Sequence, residues 1–303
     1  MKGAMRLFFV LLVLPLFAEI REFPGGATLP HEKYIRMIGE ADSPIERLYI
    51  KSKDGLYVAA AMRKPKGEGP FPVLVHFHGA PGGRGMDQLI GWVRGDHGSP
   101  VLQRFLQEGF VVVSADYRGG QSMAKLADTF PEGSVTYADD ALAVIEHIRK
   151  QPFVDGSRIN VYGVSLGGDV VMHLLSRTQG IHAAVLGAGA PINFLGARSK
   201  PDSKPEDRFK DPLLDADRIK LAIPKIHTPV LIQVGTADSL IHLDRAVYQQ
   251  LNDAGKRTRL EIYEKGYHDF VMGPQGQPGR DEPLLDITLK ALESSLRWVR
   301  DLK

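Results

Sequence analysis

Ser165 sits in the pentad Gly163-Val-Ser165-Leu-Gly167, between an apolar run and a helix-like stretch. A serine hydroxyl is a weak nucleophile until a positioned base takes its proton and an acid orients that base. In a chain with 32 glycines the pentad alone says little, and an idle serine in a structural glycine turn would look the same; the strand-to-helix setting gives it weight. At such a tight turn the serine backbone is strained and side chains two positions away would collide, so Gly163 and Gly167 fill places that need glycine. The turn raises the hydroxyl above the sheet edge and points the amino end of the next helix at it, where developing negative charge is favoured. The N–H of Leu166 is then one donor to an oxyanion.

The chain order for this arrangement is serine, acid, histidine. Asp238 follows the apolar run 230–234 and a glycine turn, and His268 lies in a loop past the run 260–263. His227 precedes a strand and is at the wrong end, while His242 stands at a helix start. Asp244 and Asp269 are rivals to Asp238, but the first belongs to a helix and the second adjoins the histidine it would have to face. After the run 73–77 comes His78-Gly79-Ala80-Pro81-Gly82-Gly83, a glycine-rich turn that can offer the N–H of Ala80 as second oxyanion donor. His76 and His78 share a strand face, yet no third ligand follows at metal spacing, and His78 is expected to brace the loop. Arg118, in Asp116-Tyr-Arg-Gly, could hold a substrate carboxylate or pair with Asp139 or Asp140. The stretch 86–92, Trp92 included, is expected to line a pocket.

These groups need strands to carry them. Runs at 47–52, 56–62, 73–77, 110–115, 159–162, 183–186, 230–234 and 260–263 read as about eight strands, and those from Val73 onward are apolar at consecutive positions, as in parallel strands covered on both faces. Helical patterns fall at 100–107, 136–150, 166–176, 243–254 and 283–302. Alternation of the two predicts an α/β fold, a mostly parallel sheet with helices on both faces, with ligands beyond the carboxyl ends of the strands. The segment 189–226, rich in charge and proline, breaks the rhythm and reads either as a solvated excursion with short helices or as a cap over the pocket.

The 38 Lys+Arg nearly balance 36 Asp+Glu, and 43% of residues are hydrophobic, which argues against disorder and against a nucleic-acid partner. The absence of cysteine excludes disulfides and thiolate chemistry. Lys2 and Arg6 precede an apolar run at 7–17 that is too short for a stable membrane span of ~20 residues. Residues 1–18 therefore read as an export signal cleaved near Ala18, with 19–303 as one domain, periplasmic or secreted; Leu16 is large for a cleavage site, which keeps an uncleaved anchor open.

With Ser165, Asp238, His268 and the His78-Gly79-Ala80-Pro81 turn in place, the chain resembles an α/β-hydrolase. It is most similar to the catalytic domain of the prolyl oligopeptidase (S9) family and its single-domain esterase relatives. The likeness runs from about residue 45 to the end, through His-Gly-Ala-Pro at 78–81, Asp-Tyr-Arg-Gly at 116–119, Val-Asp-Gly-Ser-Arg-Ile at 154–159 and Gly-Thr-Ala-Asp-Ser at 235–239. It implies a nucleophile at Ser165, an acid at Asp238, a base at His268 and oxyanion donors at Ala80 and Leu166, with no cofactor or metal. Two departures bear on substrate. Ala80 and Leu166 stand where the family often has glycine and tyrosine, and the stretch ahead of the core is too short for the propeller that gates oligopeptide access and supplies amino-terminus recognition. A small-molecule ester is thus the expected substrate, a short peptide the alternative, and a non-catalytic binding protein on the same scaffold the third reading.

Overall fold

Runs that are apolar at every position become the interior of a nine-stranded sheet. A computed structural model describes residues 18–23, 43–95, 100–117, 130–204, 207, 209–273 and 286–302. The strands are β1 (Ala18–Phe23), β2 (Ile45–Lys51), β3 (Tyr57–Arg63), β4 (Phe71–Phe77), β5 (Val111–Ala115), β6 (Val154–Val164), β7 (Ala183–Gly187), β8 (Val230–Gly235) and β9 (Thr258–Tyr263). Their order across the sheet is β1-β9-β8-β7-β6-β4-β5-β3-β2. Every neighbouring pair is parallel except β2 with β3 and β3 with β5, so β3 alone runs against the rest.

The seven described α-helices are α1 (Met86–Arg94), α2 (Pro100–Gln107), α3 (Phe130–Arg149), α4 (Leu166–Leu175), α5 (Ala216–Ala222), α6 (Ile241–Asp253) and α7 (Asp286–Asp301). Because side chains alternate along a strand, each strand feeds two cores. Val75, Val113, Val161 and Ile232 pack with α3, α4 and α6 on one face. Leu74, Val112, Tyr162 and Leu231 pack with α1, α2 and α7 on the other. Strands β5, β7 and β8 are buried at every residue, which is why their sequences lack polar alternation. Edge strand β2 does alternate, with Tyr49 exposed and Ile50 buried.

Two elements depart from the expectation. Strand β1 is the ninth, pairing with β9 at the sheet edge; its Glu19, Arg21 and Glu22 hid it, since an edge strand tolerates charge. Glu19 bonds Arg259 at 2.9 Å and Phe23 stacks on Tyr263, ring centroids 4.6 Å apart. Residues 1–17 of the expected leader lie outside the described residues, and Ala18, the expected cleavage point, opens β1. Stretch 86–92 is a helix ended by Gly95 in the left-handed conformation, with Leu89, Ile90, Trp92 and Val93 buried. Segment 189–226 carries the short helix α5 and is exposed or half-buried over most of its described length. Phe194, Leu195, Phe209, Ile219 and Ile223 join the core around α4, and the Asp169 carboxylate accepts the Phe194 N–H at 2.8 Å. No described helix is long and apolar enough to cross a membrane.

The two turns that follow β8 and β9 are locked together. Ala237 N–H donates to the Gly266 carbonyl at 2.9 Å and Thr236 N–H to the Tyr263 carbonyl at 2.9 Å. A Cβ on Gly235 would lie 1.9 Å from the Gly266 oxygen, so only glycine lets the backbones approach this closely. Gly235→Ala is expected to lower stability by about 1–3 kcal/mol, the usual cost of overpacking, read from the urea midpoint. An unchanged midpoint would show that the contact is loose.

Candidate active site

Strand β6 ends at Val164, Ser165 makes the turn, and α4 starts at Leu166. Ser165 has φ 52° and ψ −119°, a conformation worth about 1–3 kcal/mol of strain in a non-glycine residue. Its N–H is held by the carbonyls of Gly187 and Ala188, at 3.3 and 3.0 Å. A Cβ on Gly163 would meet the Gly167 oxygen at 2.4 Å, and one on Gly167 would meet the Phe77 oxygen at 1.9 Å. The expected need for both glycines is met, and Gly167 has a second reason: it lets α4 dock against the end of β4.

From the serine a line of hydrogen bonds runs inward. Ser165 Oγ lies 2.9 Å from His268 Nε2, and His268 Nδ1 lies 2.8 Å from Asp238 Oδ2. The Asp238 carboxylate is fully buried and its other oxygen accepts the Leu240 N–H at 2.8 Å, so it is held by its own turn. His268 is one-third exposed and faces the solvent side of the site. Burial alone would lower its proton affinity; the Asp238 bond and the charges of Asp269, Asp238 and Asp244 outweigh it and push the imidazole up to about 9. The rivals separate by position. Asp244, on α6, is buried and accepts the Gly189 N–H at 3.1 Å; burial and the Asp238 charge push its carboxyl well above the usual range. Asp269 sits on the outer side, 3.5 Å from His268 Nε2. His227 is exposed ahead of β8, at the far end of the strand.

A cavity of about 370 Å³ opens beside Ser165. Its wall includes Gly79, Ala80, Pro81, Arg84, Trp92 and Asp269. A Cβ on Gly79 would stand 3.2 Å from Ser165 Cβ, which places the turn bearing Ala80 against the serine. Ala80 lines the cavity with Ser165, and Leu166 begins α4 directly after the serine. His78 and Trp92 both reach the cavity, their rings stacked 5.1 Å apart. Arg118 lies outside the described residues, while Asp139 pairs with Lys53 and Arg177. None of the described residues of 189–226 lines this cavity.

Two residues of the site escaped the sequence reading. Asp116 directly follows β5, and its buried carboxylate accepts the backbone N–H groups of Gly83 (2.9 Å), Arg84 (3.1 Å), Gly85 (2.9 Å) and Tyr117 (2.8 Å) and binds His78 Nε2 at 3.1 Å. Burial opposes the charge, but His78 and these N–H groups hold the carboxyl down at about 2. It is the strut of the 78–85 turn, and His78 braces that turn as expected, with Nδ1 at 2.7 Å from the Gly79 oxygen. A carboxylate directly after a buried strand was the available signal, since such a group must find donors. Arg84 is the other. Its guanidinium donates to the Ala80 carbonyl, tying the cavity wall to the turn that holds the expected oxyanion donor.

A model of the prolyl oligopeptidase family matches residues 98–294, which include Ser165, Asp238 and His268. An uncharacterized peptidase of Bacillus subtilis, YuxL, is 26% identical over 85% of this chain, which spans 39% of YuxL's length. Among solved structures, the acylaminoacyl peptidase of Pyrococcus horikoshii superposes with a TM-score of 0.61 at 21% identity, covering 90% of this chain and 43% of that one. The carboxylesterase EstE1 from a metagenomic library gives 0.60 at 18% identity, covering 90% of this chain and 95% of that one.

Asp116→Ala would leave four backbone N–H groups and His78 without their acceptor. The expected loss is about 3–5 kcal/mol of stability, the cost of breaking a buried charged network, seen as a fall in the denaturant midpoint. Retention of the wild-type midpoint would mean that the turn is held by other contacts.

Proposed function

This chain belongs to the prolyl oligopeptidase (S9) family, and we propose that it is a serine hydrolase that cleaves small carboxylic esters through an acyl-enzyme on Ser165. The observation that carries the reading is the continuous line from Ser165 Oγ through His268 to buried Asp238, 2.9 and 2.8 Å long. In the first half-reaction His268 Nε2 takes the hydroxyl proton as Oγ attacks the ester carbonyl, and Asp238 holds the ring and steadies the imidazolium. The N–H groups of Ala80 and Leu166 receive the oxyanion. Collapse breaks the bond to the alcohol, which leaves with the proton from His268. A water then attacks the acyl-enzyme, again giving its proton to His268, and the acid leaves as Ser165 regains its own.

Support for an ester comes from the likeness of the fold to the carboxylesterase EstE1. The family match supports the second reading, a peptidase acting on short peptides with the same residues.

A fluorophosphonate probe is expected to label the protein at Ser165, and Ser165→Ala to abolish both labelling and about 10⁴-fold or more of the hydrolysis of p-nitrophenyl acetate. Equal labelling of the alanine variant would sink the assignment. Aminoacyl p-nitroanilides decide between the readings: turnover within about tenfold of the acetate ester would favour the peptidase.

A further inference from the structure

His268 is flanked by carboxyl groups on both ring edges. Asp238, in the turn after β8, binds Nδ1; Asp244, buried on α6, adds a charge of the same sign, though burial and the Asp238 charge push its own carboxyl well above the usual range. Asp269 is different, because its Oδ1 lies 3.5 Å from Nε2, the nitrogen that has to accept the serine proton. Asp269 is held there by a left-handed backbone, φ 66° and ψ 9°, which non-glycine residues adopt at a cost. Both Asp269 and Arg84 line the cavity, and the charge of Asp269 acts on the Arg84 guanidinium.

A carboxylate at that distance is attracted to an Nε2–H carrying positive charge and has nothing to gain from a neutral Nε2 lone pair. The resting site is therefore biased toward imidazolium, with Nε2–H on Ser165 Oγ and the Asp269 carboxylate facing it as a charge 3.5 Å away. In that state His268 has no lone pair for the serine proton. Before attack, the Nε2 proton must pass to solvent, and only then does Ser165 O–H become the donor to Nε2.

We propose that Asp269 is a positioning residue that steadies the protonated form of His268 at its reactive edge and so moves the working range of Ser165 to alkaline pH. This rests on the serine-hydrolase reading above and adds a control on it. The direction follows from linkage: a base whose proton affinity is raised is competent only above its own titration point, so activity climbs as pH rises through about 9. Removing the Asp269 charge lowers that point, leaving Asp238 as the hydrogen-bonded partner.

The test is the second-order rate of fluorophosphonate labelling of Ser165, followed from about pH 5 to about pH 10 in wild type and in Asp269→Asn. Asparagine suits a left-handed position, so the backbone is kept, and Asp269→Gly serves as a second variant with the same tolerance. In wild type the rate should be half-maximal near pH 9. In both variants the limb should move down by about one pH unit or more, which makes labelling at neutral pH about tenfold faster. Asp269→Glu should restore part of the alkaline limb. An unmoved limb in both neutral variants overturns the role of Asp269 while leaving the nucleophile intact. Absence of labelling in every protein at every pH overturns the serine-hydrolase reading itself, and the proposal with it.

Discussion

His268 and Asp238 come from the ends of adjacent strands, 30 residues apart, and meet at 2.8 Å because the turns that carry them interlock. Gly235 passes so near Gly266 that neither turn can shift without the other. The contact holds the imidazole by Nδ1 and leaves Nε2 facing Ser165. On the other side of the serine, Gly167 lets α4 press against the end of β4, so the turn 78–81 and the nucleophile are also set by backbone against backbone. Close packing without side chains is what gives the site its sub-ångström precision: a glycine contact has no rotamer to relax.

Four aspartates around this site show how environment decides chemistry. Asp116 is buried yet stays ionised, because four N–H groups and a histidine surround it. Asp238 is buried with a histidine and one N–H and orients the base. Asp244 is buried with less support, and its carboxyl is pushed well above the usual range. Asp269 is one-quarter exposed and acts on the base from outside. The number of donors each carboxylate collects, set against the water it loses, sorts the four.

Much of this was legible in the linear chain. The interior strands announced themselves as continuous apolar runs, and all eight expected strands are present; β1 was hidden because an edge strand exposes its charges and so reads as polar chain. Helix α1 was missed because it is a short element between glycines, with no capping side chain at Gly85 to mark its start. The segment 189–226 is exposed over much of its length, as its composition announced, while a few apolar residues such as Phe194 and Phe209 anchor it in the core.

For the site, the sequence by itself determined the order serine, aspartate, histidine at strand ends and the glycines around Ser165, because strand period and turn sterics are local properties that a few neighbouring residues dictate. Only the tertiary structure decided which of Asp238, Asp244 and Asp269 binds His268, and that Asp116 and Arg84 shape the cavity wall. Those outcomes depend on distance and desolvation between segments far apart in the chain, and Coulomb forces and hydrogen bonds act over that separation in space, which spacing along the sequence does not encode.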